Sequence, residues 1–80
     1  MADLGEQFRR NLAILRAAAG LTQSELARRM SRRPSFICDL ERGRREPSLR
    51  TLGMVAVALG VEPGQLVAGE EISEISPIPA

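Results

Sequence analysis

Hydrophobic residues recur every three or four positions along most of the chain, which is the period of an amphipathic helix. The clearest stripe lies near the N-terminus, with spacings of four, three and four positions: Phe8, Leu12, Leu15 and Ala19. Similar stripes follow, separated by glycines at places where helices commonly end. The pattern predicts an all-α domain of five short helices in residues 1–68. Prolines exclude regular helix near the end of the chain, so residues 69–80 are expected to form an extended tail.

Capping residues mark where the first two helices begin. Asp3, followed by Glu6, caps the first helix, and Gly20 ends it. Thr22 and Glu25 have the spacing of a capping box, in which each side chain accepts a hydrogen bond from the other residue's backbone N–H. We therefore expect a second helix of about two turns from this point.

Proline and glycine mark the limits of the remaining helices. Pro34 fits the first position of the third helix, where its missing N–H costs nothing, and Gly43 ends this helix. The fourth helix is expected from about Ser48 to Gly60, and the fifth opens at Glu62–Pro63. The apolar stripes of helices two to five consist of Leu26, Ala27, Met30, Ile37, Leu40, Leu49, Leu52, Val55, Ala56, Leu59, Leu66 and Val67.

The charges are unevenly distributed along the chain. All eleven cationic residues are arginines, and all lie between Arg9 and Arg50. Four acidic residues share that segment, so its formal charge is +7, whereas the whole chain carries only +1. A concentrated basic segment is typical of proteins that bind polyanions, although a solvated arginine-rich surface would have the same composition.

The residue types that most enzymes need are missing from the sequence. It contains no histidine, lysine or tyrosine, and its one cysteine, Cys38, excludes an intramolecular disulfide. Metal sites of the His/Cys kind, serine–histidine machinery and Schiff-base chemistry are therefore excluded, and we expect no enzyme activity, cofactor or metal. No signal sequence or membrane span is evident, so we expect a cytoplasmic protein, prokaryotic or phage and associated with the nucleoid, with no membrane partner.

The segment from Thr22 to Gly43 combines two short helices joined by about three residues around Ser31. In such a helix-turn-helix unit, the second helix presents its N-terminal side chains to base edges in the major groove. An ordinary helical hairpin inside a bundle is the alternative interpretation. The surrounding arginines favour double-stranded DNA as the partner.

Several short motifs, in this order and spacing, resemble the Cro/C1-type (XRE-like) helix-turn-helix regulators between Phe8 and Val67. The resemblance implies a compact lambda-repressor-like fold with the helix-turn-helix at helices two and three. It also implies a transcriptional regulator, a repressor or autoregulator, that binds an inverted-repeat operator as a homodimer with residues 34–42 in the major groove. The motifs are Leu21–Gln23, Glu25–Ala27, Ile37, Leu40–Gly43, Pro47–Leu49, Leu52 and Ala58–Val61.

The resemblance also implies roles for individual residues. Arg16 and Glu41 match a largely buried salt bridge that ties the first helix to the end of the third. Arg33 is added to the base-reading set because either it or Arg32 can reach guanine from beside the groove. The residues expected to contact bases are Arg33, Pro34, Ser35, Cys38 and Asp39. Those expected to contact phosphates are Gln23, Arg32, Arg42, Arg44 and Arg45.

The turn departs from the family pattern at three positions. Ser31 replaces the usual glycine, which costs about 1 kcal/mol if the backbone there is left-handed. Arg32 stands where a small aliphatic residue normally packs, so we expect it to extend outward, onto phosphate. Arg33 replaces the usual serine or threonine N-cap.

Three residues of the recognition helix have more than one interpretation. Asp39 either accepts a hydrogen bond from cytosine or, as we favour, holds Arg32 or Arg33 in place. Phe36 is either a packed wall residue or a contact for a thymine methyl or sugar. Cys38 is a small residue that suits the groove, and a redox switch is the less favoured alternative.

The resemblance implies that the fifth helix and the tail form the homodimer interface, and their apolar residues leave surface for a second subunit to cover. These residues are Val61, Leu66, Val67, Ile72 and Ile75. In the tail, isoleucines recur every three positions among acidic residues and prolines. This pattern fits a disordered extension or a partner-binding segment. The alternative function is therefore a protein-interaction module, such as an antitoxin or a coactivator-like adaptor, that uses the tail.

Overall fold

The computed structural model describes residues 3–69, and its regular elements are five helices. The predicted all-α architecture of five helices is confirmed. The predicted tail, apart from Gly69, lies outside the described residues. No helix within residues 3–69 is long and apolar enough to cross a membrane. The helices are α1 (Leu4–Ala18), α2 (Gln23–Arg29), α3 (Pro34–Arg42), α4 (Leu49–Leu59) and α5 (Pro63–Val67).

The helix starts use the caps that the sequence predicted. The Asp3 carboxylate accepts a hydrogen bond from the Gly5 N–H at 3.0 Å. Thr22 and Glu25 form both hydrogen bonds of the capping box, at 2.8 and 3.0 Å. Hydrogen bonds from Thr22 to the Glu25 carboxylate, first of all the one from its backbone N–H, lower the pKa of the Glu25 carboxyl, because a carboxylate is stabilised when N–H and O–H groups donate to it. Short helices depend on such caps, since their first N–H groups have no partner within the helix.

The core lies between the five helices and is almost entirely aliphatic. Phe8 is its one aromatic residue among the described positions, and the half-buried ring of Phe36 packs against its edge. The close packing of α2 on α3 and of α1 on α5 and α3 joins the helices around this core. The buried hydrophobic residues are Phe8, Leu12, Leu26, Ala27, Met30, Ile37, Leu40, Val55, Ala56, Leu59 and Leu66.

Two residues assigned to apolar stripes are exposed. Ala19 is the C-cap of α1, so it lies beyond the last turn that faces the core. Leu49 is the first residue of α4 and is 87% exposed, because α4 reaches the core only after its first turn. Gln7 shows the opposite behaviour: it is polar, so the hydrophobic pattern does not indicate burial, yet its side chain is buried among the core residues.

Two side chains join distant helices through backbone carbonyls. The amide nitrogen of Asn11, on α1, donates to the carbonyls of Leu66 and Ala68 at 3.2 and 2.8 Å. Carbonyls at the end of a helix have no partner within it, so Asn11 satisfies those of α5 and attaches this five-residue helix to α1. Arg29, on α2, donates to the carbonyl of Ala58 on α4 at 3.2 Å. Sequence periodicity identified neither contact.

Candidate nucleic-acid interface

The turn between α2 and α3 is left-handed at Ser31, where φ is 57°. Ser31 is the one non-glycine residue in positions 3–69 with a positive φ. Its N–H donates to the carbonyl of Arg28 at 3.0 Å, and the N–H of Arg32 donates to that of Ala27 at 2.8 Å. These bonds close the end of α2 and redirect the chain into α3. Because the backbone at Ser31 is left-handed, the strain of about 1 kcal/mol that was expected for a serine in this conformation applies.

The two faces of α3 differ in burial as the recognition-helix interpretation requires. Ile37 and Leu40 are fully buried in the core. The residues expected to contact bases lie on the other side or at the start of the helix. Arg33 is the extended N-cap residue and makes no side-chain capping bond. Of this set, Arg33, Pro34 and Ser35 are exposed, and Cys38 and Asp39 are half-buried.

A single carboxylate, that of Glu41, links α3 to both preceding helices. Arg16 donates to it twice, from Nε to Oε2 at 2.6 Å and from Nη2 to Oε1 at 3.1 Å. Gln23 donates from Nε2 to Oε1 at 2.9 Å, and Arg16 also donates to the carbonyl of Leu21 at 2.9 Å. The hydrogen bonds and charge of Glu41 raise the pKa of Arg16. The Arg16 and Glu41 side chains are only 19% and 10% exposed. The pair therefore connects helices in the protein interior and leaves little surface for DNA.

Asp39 faces a different arginine from the two that were expected. Its Oδ1 lies 3.9 Å from Nη1 of Arg44, an ion-pair distance that is too long for a hydrogen bond. The cause is the chain reversal at Gly43, where φ is 78°. Beyond it the N–H groups of Arg44 and Arg45 donate to the Asp39 carbonyl at 2.9 and 3.3 Å. The segment after α3 thus folds back past Asp39, and Arg44 takes the place predicted for Arg32 or Arg33.

The guanidinium groups of Arg32 and Arg45 both contact the ring of Phe36. The Cζ atoms of Arg32 and Arg45 lie 4.8 and 5.1 Å from the ring centroid, within the range of a cation–π interaction. Arg32 is exposed, as expected, but it contacts this ring. A cleft of about 420 Å³ opens beside the ring, and its walls are Ser31, Arg32, Arg33, Ser35, Phe36, Asp39 and Arg45.

Basic side chains surround both ends of α3. Arg32 and Arg33 precede the helix, Arg42 lies in its last turn, and Arg44 and Arg45 follow it; all five are exposed. Arg9, on α1, is a further basic residue at the C-terminal end of α3, and no local pattern in the sequence indicates it. A Cβ atom placed on Gly43 would lie 2.9 Å from Cδ of Arg9, so the arginine side chain lies directly against the end of α3. Only spacing along α1 could have indicated this contact, and spacing does not identify which helix is opposite.

The surface around α5 differs from the predicted dimer interface. Leu66 is fully buried in the core, so it offers no surface to a second subunit, and that part of the prediction is wrong. Val61 and Val67 are half-buried, and Ile72 and Ile75 lie outside the described residues. An apolar groove of about 180 Å³ instead joins the starts of α1 and α4 to the end of α5. Its walls include Leu4 and Leu49, which are 62% and 87% exposed, together with Phe8, Pro47, Leu52 and Val67.

The sequence matches a model of the helix-turn-helix domain family over residues 7–68. It is 42% identical over 65 residues to the uncharacterized HTH-type transcriptional regulator y4dJ of Sinorhizobium fredii, which covers 81% of this chain and 84% of that protein. It is also 44% identical over 57 residues to the immunity repressor protein of Bacillus phage phi105. That match covers 71% of this chain but only 39% of the phage repressor, so the similarity concerns part of the repressor alone.

The fold also matches solved structures. The hypothetical transcription factor NHTF from Neisseria superposes with a TM-score of 0.81 and 30% sequence identity, covering 86% of this chain and 79% of that one. The lambda-repressor-like fold is therefore confirmed. The relatives are transcriptional regulators, and their family is non-enzymatic, which confirms that the chain is not an enzyme. The chain belongs to the Cro/C1-type helix-turn-helix family of DNA-binding transcriptional regulators.

Proposed function

We propose that this protein is a sequence-specific repressor or autoregulator that binds an inverted-repeat operator as a homodimer, with α3 in the major groove. The observation that carries this proposal is the two-sided character of α3. One face is fixed in the core through Ile37 and Leu40, while Pro34, Ser35 and Asp39 point away from it. Nine residues of helix extend about 13–14 Å, which is comparable to the major-groove width of about 12 Å.

The arginines at both ends of α3 support contacts with the two phosphate backbones that border the groove. Arg32 lies on the side of the turn, and Arg42, Arg44 and Arg45 lie on the side of the helix end. In this proposal Gln23 contributes from α2. A side-chain amide has two N–H donors, so one can remain on Glu41 while the other donates to a phosphate.

The exposed face of α3 is poor in hydrogen-bond donors. Pro34 has no side-chain donor, and the Ser35 hydroxyl can donate or accept, so it does not select one base. Asp39 can accept only from cytosine N4 among the major-groove groups. Direct readout of guanine therefore falls to Arg33, and Cys38 provides a small contact surface. We infer that phosphate contacts and DNA shape carry much of the recognition.

Homodimerisation would place two α3 helices in half-sites about 34 Å apart. A single domain makes few base contacts, so a second copy is needed for a specific site. The partly exposed Val61 and Val67 remain in the proposed interface, with Ile72 and Ile75 of the tail. The apolar groove at Leu4 and Leu49 adds surface of the same kind, since large exposed leucines are costly to leave in water. Light scattering at micromolar concentration, with and without duplex, tests this arrangement, and a monomer in both cases would refute it.

In vitro selection of duplexes from a random pool tests the function as a whole. We expect a short inverted repeat and binding that weakens steeply with salt. Arg42→Ala should weaken binding to all duplexes alike and reduce the slope of log Kobs against log salt by about 0.9, the value for one lost phosphate contact. Arg10→Ala, at an exposed arginine of α1 outside the proposed interface, is the matched control and should change the slope little.

A random pool that yields no preferred sequence would refute the proposal. It would favour instead an adaptor or antitoxin that binds a protein partner through residues 70–80. No feature within residues 3–69 specifically favours that alternative, because the tail that it requires lies beyond them apart from Gly69.

A further inference from the structure

We propose that Phe36 is a positioning residue that holds Arg32 and Arg45 as a preformed pair for a DNA backbone phosphate. The inference rests on the proposed DNA-binding function and adds a specific device to it. The two arginines come from opposite ends of α3, one before the helix and one after it. Their shared contact with one aromatic ring is what makes them a single site.

The distances limit how far apart the two charges can be. With Cζ atoms 4.8 and 5.1 Å from the same centroid, the two guanidinium groups are separated by no more than about 10 Å, the sum of those distances. Successive phosphates of one DNA strand follow about every 3.4 Å of helix axis. At separations within that limit, two guanidinium groups on the same face of the ring can bind one phosphate, and otherwise they can bind two neighbouring phosphates of one strand.

The cleft beside Phe36 has an excess of positive charge. Arg32, Arg33 and Arg45 line it, against one carboxylate, that of Asp39. Asp39 is itself in ion-pair range of Arg44, which lies outside the cleft lining. Cations held near one another repel, and the negative face of an aromatic ring offsets only part of that repulsion. An anion between the guanidinium groups would neutralise the remainder, so the cleft beside Phe36 has the charge and size for a phosphate.

Phe36 is suited to this role because its own position is fixed. The ring is half-buried and packs against the core, and the next residue, Ile37, is fully buried. Arg32 and Arg45 are exposed, so without the ring each would sample many rotamers. Ordering a long side chain during binding reduces affinity, and contacts that order it beforehand avoid that loss.

The test replaces the ring while keeping apolar packing. Phe36→Leu should weaken binding to the selected operator and to an unrelated duplex by the same factor, about 5- to 150-fold, the effect of ordering two arginine side chains during binding. Phe36→Tyr keeps the ring and should bind within about twofold of the original protein. Circular dichroism at the assay temperature confirms that each variant is folded. Loss of operator preference alone would contradict the inference, since a phosphate contact is read equally in all sequences.

A double-mutant comparison separates positioning from simple packing. In a protein that carries Arg32→Gln and Arg45→Gln, Phe36→Leu should have no further effect on DNA binding, because the side chains that it positions are gone. An equal loss in both backgrounds would overturn the role of Phe36 while leaving the proposed function intact. Absence of duplex binding by the unmodified protein would refute the proposed function instead.

The ring contact itself can be observed without DNA. The chain has no tryptophan or tyrosine, so Phe36→Trp introduces its only strong fluorophore. Its emission should change when Arg32 and Arg45 are both replaced by glutamine, since the guanidinium groups contact the ring. Identical emission spectra would mean that the arginines do not rest on residue 36 in solution, and the inference would fail even if the protein binds DNA.

Discussion

Glu41→Gln is expected to destabilise the domain far more than the loss of an ordinary surface charge. The carboxylate accepts two hydrogen bonds from Arg16 and one from Gln23, and the Arg16 and Glu41 side chains are only 19% and 10% exposed. A charge-assisted hydrogen bond contributes about 1.5–3 kcal/mol, and breaking a fully buried pair costs about 3–5 kcal/mol. Both side chains keep some contact with solvent, and glutamine can still accept one bond. We therefore expect a loss of about 2 kcal/mol.

That loss is large for a domain of this size. At about 0.05–0.15 kcal/mol per residue, an 80-residue chain has a free energy of unfolding of roughly 4–12 kcal/mol. A change of about 2 kcal/mol should lower Tm by roughly 8–16 °C. Urea and thermal unfolding followed by circular dichroism measure both quantities. Glu46→Gln, at an exposed glutamate, is the matched control and should change the free energy of unfolding by less than about 0.5 kcal/mol.

The cause of the loss can be checked by removing both charges. Glu41→Gln leaves the partly buried Arg16 without its counter-charge, whereas Arg16→Met combined with Glu41→Leu leaves no uncompensated charge. The double variant should therefore be more stable than the sum of the two single losses indicates. The reasoning would be refuted by a Glu41→Gln variant as stable as Glu46→Gln at neutral pH.

Three further predictions concern the turn at Ser31, the attachment of α5 by Asn11 and the capping box at Glu25. Ser31→Gly should stabilise the protein by about 1 kcal/mol by relieving the left-handed strain, whereas Ser24→Gly, in the first turn of α2, should destabilise it by about 0.5 kcal/mol; urea unfolding that ranks the two variants in the opposite order would contradict this. Asn11→Ala should cost about 1–3 kcal/mol because it leaves two carbonyls near the end of α5 without a donor, and faster hydrogen exchange in α5 than in α3 would locate the effect. The pKa of Glu25 is lower in the folded protein than its ordinary value of 4.5, so its contribution to stability is present above that pH and is lost as pH falls through the folded pKa. Thermal unfolding of the original protein and of Glu25→Ala should therefore converge in acid, and a constant difference from pH 7 to pH 2 would disprove this assignment.

Local signals in the sequence were sufficient for the helix boundaries. Thr22 and Glu25 form the predicted capping box, Pro34 opens α3, and Gly43 and Gly60 end helices with positive φ. Each of these signals acts within a few residues through a cap or a restricted φ, so no knowledge of the tertiary structure was required. The all-α fold followed from these boundaries and the apolar period.

Exposure at the helix ends required tertiary information. Leu49 has the right period for the core but is exposed, because periodicity does not indicate at which turn a helix meets its neighbours. Leu66 was placed both in the apolar stripe of the fifth helix and in the predicted dimer interface, and only the packing of α5 on α1 shows that it belongs to the core. Both errors concern where helices contact one another, and these contacts join residues that are far apart in the sequence, so local patterns do not reveal them.

The least predictable features of the site are contacts made across the chain reversal after α3. Arg45 follows Phe36 by nine positions, and the two meet only because the chain turns back at Gly43. The same reversal brings Arg44, rather than Arg32 or Arg33, beside Asp39. Resemblance identified most of these arginines as basic residues near the groove, but it did not indicate which carboxylate or ring each one contacts.

The shared carboxylate of Glu41 has a mechanical consequence. Because it binds side chains from α1 and α2 at once, α3 cannot tilt or slide independently without breaking bonds to both. Under the proposed function, a poor fit between the two half-sites and the protein would have to be accommodated by the DNA. Operators with flexible pyrimidine–purine steps between the half-sites should then bind more tightly than stiff A-tract versions with the same contacted bases.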